Sequence, residues 1–327
     1  MTCRVRAIAG ATLALLLWDA GVAVGQSATD PPAPVTAPPS SLDLTSEKVS
    51  HLQADVAGHD YIAAEELLLK EIEPEPKSAR AASLLAYLGS IYFLNHDYLN
   101  AAIAWKKSDA ITPLPSGPQF SLAMAYIRIS HRDWARPLLE SLSAHDSKNA
   151  LYPYWLGRLD YDAQQYPEAI QRFQQAIALD PAMARAYDSL GLCYFSQNEN
   201  AAAVKNFKTA IDLDQTAPHP SPWPYIDLAT TLEFLGRPQE AEAAMRQAVR
   251  LDPKLAAAHY QLGHVLEHLG RLQAAVPEMQ EAIRLDDNYP EPHIALAQIY
   301  KRLGRPDAAN EEVKIYLRLQ ANERTKQ

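Results

Sequence analysis

Cysteine is nearly absent, with two in 327 residues. Two thiols cannot build a disulfide framework, and they fall short of a four-cysteine zinc module. Glycine is scarce as well, at 12, too few for a fold built on glycine-rich phosphate loops. No G-x-S-x-G elbow, phosphate-binding glycine loop or dinucleotide fingerprint occurs. Positive charge is in deficit, since 30 Lys and Arg face 39 Asp and Glu for a formal net charge of −9. A chain this acidic lacks the basic face that meets phosphate, which argues against nucleic acid as a partner. Aromatics make up 8% of the residues, against 48% hydrophobic content overall. That combination, rich in Ala and Leu and poor in Gly, reads as a helix-rich protein.

The N-terminus has the grammar of an export signal. Arg4 and Arg6 precede the apolar run from Ala7 to Trp18, and Ala23, Val24 and Gly25 offer a small-residue cleavage site before Gln26. The run is about a dozen residues and ends at Asp19, short of the roughly 20 that a membrane span needs. Residues 1–25 are therefore expected to be a cleaved signal peptide, giving a periplasmic or secreted protein. The alternative is an uncleaved segment anchoring the chain in the inner membrane, and only then is a membrane a partner. Cys3 precedes the apolar run, which disfavours a lipoprotein anchor. Cleavage would remove Arg4, Arg6 and Asp19, taking the charge from −9 to −10, and would leave Cys193 as the one remaining thiol. A single thiol reads as a small buried apolar residue rather than a redox group. Residues 26–44 hold Pro31, Pro32, Pro34, Pro38 and Pro39 among small side chains, a composition expected to form a disordered linker.

Self-comparison then finds a period. Leu88-Gly89 recurs as Leu122-Ala123, Leu156-Gly157, Leu190-Gly191, Leu228-Ala229, Leu262-Gly263 and Leu296-Ala297, at spacings of 34, 34, 34, 38, 34 and 34. Ala101, Ala135, Ala169, Ala203, Ala241, Ala275 and Ala309 keep the same register. So do the larger residues Trp105, Leu139, Phe173, Phe207, Met245, Met279 and Val313. Three series with one period and one shared exception define a repeat.

Tyr187, Leu190, Gly191, Tyr194, Ala203, Phe207 and Ala210 stand in one unit at the spacing of the tetratricopeptide repeat family, which the chain resembles from residue 45 onward. The units run 45–78, 82–115, 116–149, 150–183, 184–217, 222–255, 256–289 and 290–323, followed by a polar tail at 324–327. The unit at 150–183 carries Asp160 where the family prefers Tyr. The resemblance implies an all-α, right-handed solenoid of stacked antiparallel helix pairs. Small residues are expected to let the two backbones of a pair approach. Asn198, Gly236, Gly270 and Gly304 are expected at left-handed turns. Asp180, Asp214, Asp252 and Asp286 recur at the ends of second helices and read as turn residues. The 38-residue spacing reflects an insertion at 218–221, read as a tolerated loop.

His264-Val265-Leu266-Glu267-His268 is the sharpest catalytic signal, an H-x-x-E-H segment on a helix that puts two histidines on one face. No third ligand is recognisable, and repeat packing claims Leu262, Gly263 and Leu266. No catalytic residue and no cofactor are expected; His264 and His268 stand as weak metal candidates, with a metal-dependent hydrolase as the alternative function.

In the resembled family, first helices line a concave groove that binds a protein or peptide. Carried over residue by residue, the groove positions hold Phe120, Met124, Arg128, Tyr154, Arg158, Tyr161, Arg185, Phe195, Trp223, Phe234 and Tyr260. The two-carboxylate clamp of chaperone-binding members requires Lys and Asn at groove positions that no unit here supplies. Arg128, Arg158 and Arg185 are instead expected to take a carboxylate between aromatic residues, with Asp162 and Asp188 as competing partners. Ile315 and Leu319 at the last unit suggest self-association as a third reading.

Overall fold

The computed structural model describes residues 42–326. The expected signal peptide and the greater part of the Pro-rich stretch lie outside the described residues. Those residues form helices throughout, without a strand, in two compact units divided between Asp180 and Pro181. The N-terminal unit holds α1 (Ser46–Ala57), α2 (Tyr61–Ile72), α3 (Ala79–Leu94), α4 (Tyr98–Ile111), α5 (Ser116–Arg128), α6 (Arg132–His145), α7 (Leu151–Asp162) and α8 (Tyr166–Leu179). The C-terminal unit holds α9 (Ala184–Ser196), α10 (Asn200–Asp214), α11 (Trp223–Phe234), α12 (Pro238–Leu251), α13 (Ala256–His268), α14 (Leu272–Leu285), α15 (Pro290–Arg302) and α16 (Pro306–Lys326). Within each unit every helix packs on the next, and α9, α11, α13 and α15 also touch one another in sequence. No described helix is long and apolar enough to cross a membrane.

One backbone device closes every helix pair. The first helix of each pair ends in a left-handed residue: His59, His96, Ser130, Gln164, Asn198, Gly236, Gly270 and Gly304. The next residue sends its N–H back to the last helical turn, as in Asp97 to the Tyr92 carbonyl at 2.9 Å and Arg271 to the Leu266 carbonyl at 2.9 Å. This is the Schellman closure, which satisfies carbonyls the helix end would leave open. The glycines and Asn198 were expected there. His59 and His96 were not, since a side chain in the left-handed region costs about 1–2 kcal/mol. Local contacts hold them: each imidazole Nδ1 meets the hydroxyl of the tyrosine two residues on, at 2.8 Å for Tyr61 and 2.9 Å for Tyr98. The intervening Asp60 and Asp97 cap the second helices by accepting the N–H of Ala63 and Asn100, each at 3.1 Å.

The glycines of the first helices stand against the large side chains of their partner helices. A Cβ on Gly89 would lie 2.7 Å from the Trp105 ring, and one on Gly191 would lie 2.6 Å from Phe207. Gly157 stands likewise against Phe173 and Gly263 against Met279, each at 2.9 Å. Glycine thus makes room for the large side chain of the partner helix. Where alanine replaces glycine, at Ala123, Ala229 and Ala297, the residue in the matching place is Leu139, Met245 or Val313; Trp and Phe stand only opposite glycine. Trp105, Phe173 and Phe207 are fully buried, and the Trp105 indole N–H finds the Ala86 carbonyl at 2.9 Å, which removes the cost of burying that donor.

Polar departures from the pattern are similarly satisfied. Asp160 is buried and ion-paired with Arg136 at 2.7 Å and Arg172 at 4.0 Å, so its neighbours on α6 and α8 supply the charge its burial requires. Asp252 and Asp286 end α12 and α14 and accept the N–H of Lys254 and Asn288, each at 3.0 Å. Asp214 instead pins the insertion, taking the Ser221 N–H at 2.5 Å. Cys193 is buried in α9. Of the pair expected to mediate self-association, Leu319 is buried and Ile315 is half-buried, while Leu317 of the same helix is exposed.

Candidate functional site

In the N-terminal unit three of the expected groove residues serve the core. Met124 is 2% exposed, and Phe120 and Tyr154 are buried. Phe120 stands edge-on to Tyr152 at 5.7 Å, and Tyr154 packs against Phe173 at 5.9 Å. These three residues therefore offer no surface to a partner, contrary to expectation. The physical reason is size: each large side chain gains more from burial at the helix–helix seam than from solvent. Arg128 is exposed with its guanidinium 5.8 Å over the Tyr98 ring, and Arg158 lies 5.7 Å over Tyr161. Both separations are those of cation–π contacts. Tyr161 in turn stands edge-on to Tyr166 at 5.6 Å. Asp162 takes Arg132 at 3.2 Å.

In the C-terminal unit Arg185 is half-buried, and Phe195, Trp223 and Tyr260 are partly buried against the hydrophobic core. Phe234 is 51% exposed. It joins a ladder along the first helices, formed by the twelfth residue of one repeat and the thirteenth of the next. Phe195 of α9 meets Phe234 of α11 edge-on, with ring centroids 5.8 Å apart. One step on, Glu233 of α11 meets His268 of α13 at 2.5 Å. A further step brings Glu267 of α13 to Arg302 of α15 at 2.9 Å. One geometry carries three chemistries: aromatic, histidine–carboxylate and arginine–carboxylate.

The middle rung gathers a third group. His264 Nδ1 lies 3.4 Å from the same Glu233 Oε1 that His268 approaches, and the two imidazoles are 4.2 Å apart. The contact with Glu233 raises the His264 pKa above its ordinary 6.5 against the opposing effect of burial, and the Glu267 charge adds to it. Tyr260, one helical turn before His264, is edge-on to Tyr289 at 5.3 Å. Burial, reinforced by the carboxylates of Glu291, Glu267 and Glu233, pushes its hydroxyl up to about 12. The ligand atoms of Glu233, His264 and His268 all lie within 4.8 Å of one another. Glu267 pairs with Arg302 on the next rung, so the residues of the H-x-x-E-H segment are divided between two rungs. Glu233 was missed from the sequence because it sits on a different repeat; its signal was its place, the same repeat position as Glu267.

Models of the tetratricopeptide repeat match residues 157–198, 182–254 and 226–290. Among curated proteins the chain is 27% identical over 149 residues to the DnaJ homolog subfamily C member 7 homolog of Dictyostelium discoideum, covering 42% of this chain and 28% of that protein. It is 30% identical over 89 residues to the Hsp70-Hsp90 organizing protein of Triticum aestivum, covering 27% of this chain and 15% of that one. The chain therefore spans less than a third of the length of these relatives. Among solved structures, a tetratricopeptide repeat protein from Parabacteroides merdae superposes with a TM-score of 0.63 at 16% identity, over 83% of this chain and 98% of that chain. Yeast Tom70 superposes with a TM-score of 0.57 at 19% identity, over 83% and 60%. Tetratricopeptide repeats are thus matched within residues 157–290, and the described residues share the all-α helical-repeat fold of these structures.

Proposed function

We propose that this tetratricopeptide-repeat chain is an exported scaffold that binds a protein or peptide on its first-helix face and performs no chemistry itself. The observation that carries the reading is the ladder on the C-terminal unit, which keeps Phe234 exposed beside Phe195 at a helical-repeat face. An exposed phenylalanine backed by a partly buried one and flanked by paired charges matches the composition of protein-binding hot spots, where aromatic anchors supply the energy and charges the selectivity. Arg128 and Arg158 extend the offer on the N-terminal unit, each already held over a tyrosine ring in a posture that suits a carboxylate. The absent Lys and Asn of the two-carboxylate clamp point away from the chaperone C-termini that clamp recognises. Export rests on the residue pattern at 1–25.

Affinity capture from an envelope extract, read by mass spectrometry, tests the binding face. Phe234→Ser and Arg158→Glu are expected to lose the captured partner while helicity and melting temperature stay unchanged. Retention of the partner by both variants would move the site elsewhere. N-terminal sequencing of the mature protein tests export, with Gln26 as the expected first residue.

A further inference from the structure

We propose that Glu233, His264 and His268 bind a divalent transition-metal ion of the zinc class, leaving at least one coordination position open. The two histidines are one helical turn apart on α13, so both imidazoles project from one face. Glu233 comes from the end of α11, and both Nδ1 atoms approach one of its oxygens, at 2.5 Å and 3.4 Å. That carboxylate is 12% exposed, and its Oε1 is buried with no donor aligned on it as a hydrogen bond. A buried carboxylate oxygen on which two imidazole nitrogens converge without a well-directed hydrogen bond has the arrangement of a ligand set around a shared ion.

Donor type then selects the ion. Two imidazoles and one carboxylate suit zinc and its neighbours, whereas calcium and magnesium call for oxygen throughout. Metal–ligand bonds of about 2.0–2.2 Å in a tetrahedral frame put ligand atoms roughly 3.3 Å apart. The three atoms here lie within 4.8 Å of one another, so modest side-chain rotation reaches that frame. His268 is free to make it, being 54% exposed, and its exposure also gives the ion a way in from solvent. The proposal is for metal binding alone: Glu267, the acid or base an H-x-x-E-H enzyme would use, is paired with Arg302 at 2.9 Å. Three protein ligands leave room for water or for a donor brought by a partner.

The full chain, stripped with a chelator and dialysed, is titrated with zinc in a calorimeter, with visible spectroscopy of cobalt(II) as a second readout. One equivalent of zinc is expected, together with the absorption bands of four-coordinate cobalt. Outer-shell changes at metal sites typically cost about 10–100-fold in affinity, so loss of a ligand in His268→Ala or Glu233→Gln is expected to cost at least about 100-fold. Circular dichroism should stay unchanged in both. His51→Ala, at an exposed histidine of α1, should bind as the parent does. Absence of stoichiometric zinc would overturn the proposal and leave the cluster as a histidine–carboxylate contact. Binding that survives Glu233→Gln undiminished would also overturn it, since the two histidines alone would then explain the affinity.

Discussion

The first-helix faces of the two units are built from the same repeat and are used differently. In the N-terminal unit Phe120, Met124 and Tyr154 turn into the core, and what remains outside is cationic and aromatic, Arg128 over Tyr98 and Arg158 over Tyr161. In the C-terminal unit the contacts between neighbouring first helices stay at the surface as a ladder, from Phe195–Phe234 to Glu267–Arg302. The lesson is that a repeat position predicts a place on a helix, while the neighbours decide whether a side chain there is core or surface. The histidines teach the same point. His259 and His293 are buried and pair with Glu278 and Glu312 at 2.8 Å and 2.6 Å, a contact that recurs one repeat apart. The Glu233 cluster has no such copy, because the residues one repeat beyond His264 and His268 are Gln298 and Arg302.

The sharpest way to break the contrast is truncation on the two faces. Tyr154→Ala should cost about 3–5 kcal/mol in urea unfolding, the ordinary loss for an aromatic ring removed from a core. A value near zero would return Tyr154 to the surface. Gly191→Ala comes next, since its methyl would press into Phe207; overpacking of this kind costs about 1–3 kcal/mol. Pairing it with Phe207→Leu should recover part of that loss, because alanine opposite leucine already occurs at Ala123 and Leu139. An additive double variant would show that the two residues do not share a space.

Acid should act on the N-terminal unit through Glu71. Its hydrogen bonds to Lys48 and Arg80, at 2.5 Å and 2.6 Å, hold its pKa below the ordinary 4.5. A carboxylate with a depressed folded-state pKa contributes stability that is present above the unfolded value and is lost as pH falls through the folded one. Melting temperature should therefore drop as pH goes below 4.5, and Glu71→Gln should flatten that part of the curve. The smallest stability effect belongs to Phe234→Ala, expected within about 0.5 kcal/mol of the parent as for other exposed sites. A loss comparable to that of Tyr154→Ala would make the ladder a structural seam and erase the difference between the faces.

Much of this architecture was legible. Leu-Gly and Leu-Ala steps at 34 residues announce the helix pairs, and glycine or asparagine at four turns announces left-handed backbone. The other four turns were illegible because His59, His96, Ser130 and Gln164 carry no intrinsic preference strong enough to mark them. The pairing of Gly191 with Phe207 was visible as two series in one register, but its meaning, a glycine that admits a ring, needed the facing helix. Of the expected groove residues, Phe234 and the arginines lie where a partner can reach some part of them. Phe120, Met124 and Tyr154 do not, and periodicity places all of them on the same helix face.

The sequence by itself determined the helices, their pairing and the four turns marked by glycine or asparagine, because those depend on residue types and contacts inside one helix pair, where the spacing is written in the chain. Only the tertiary structure decided which faces became core and which three side chains converged at Glu233, His264 and His268. Burial and convergence depend on which helix stands next door and at what angle. Glu233 lies 31 residues before His264, on another helix pair, where no local pattern connects them.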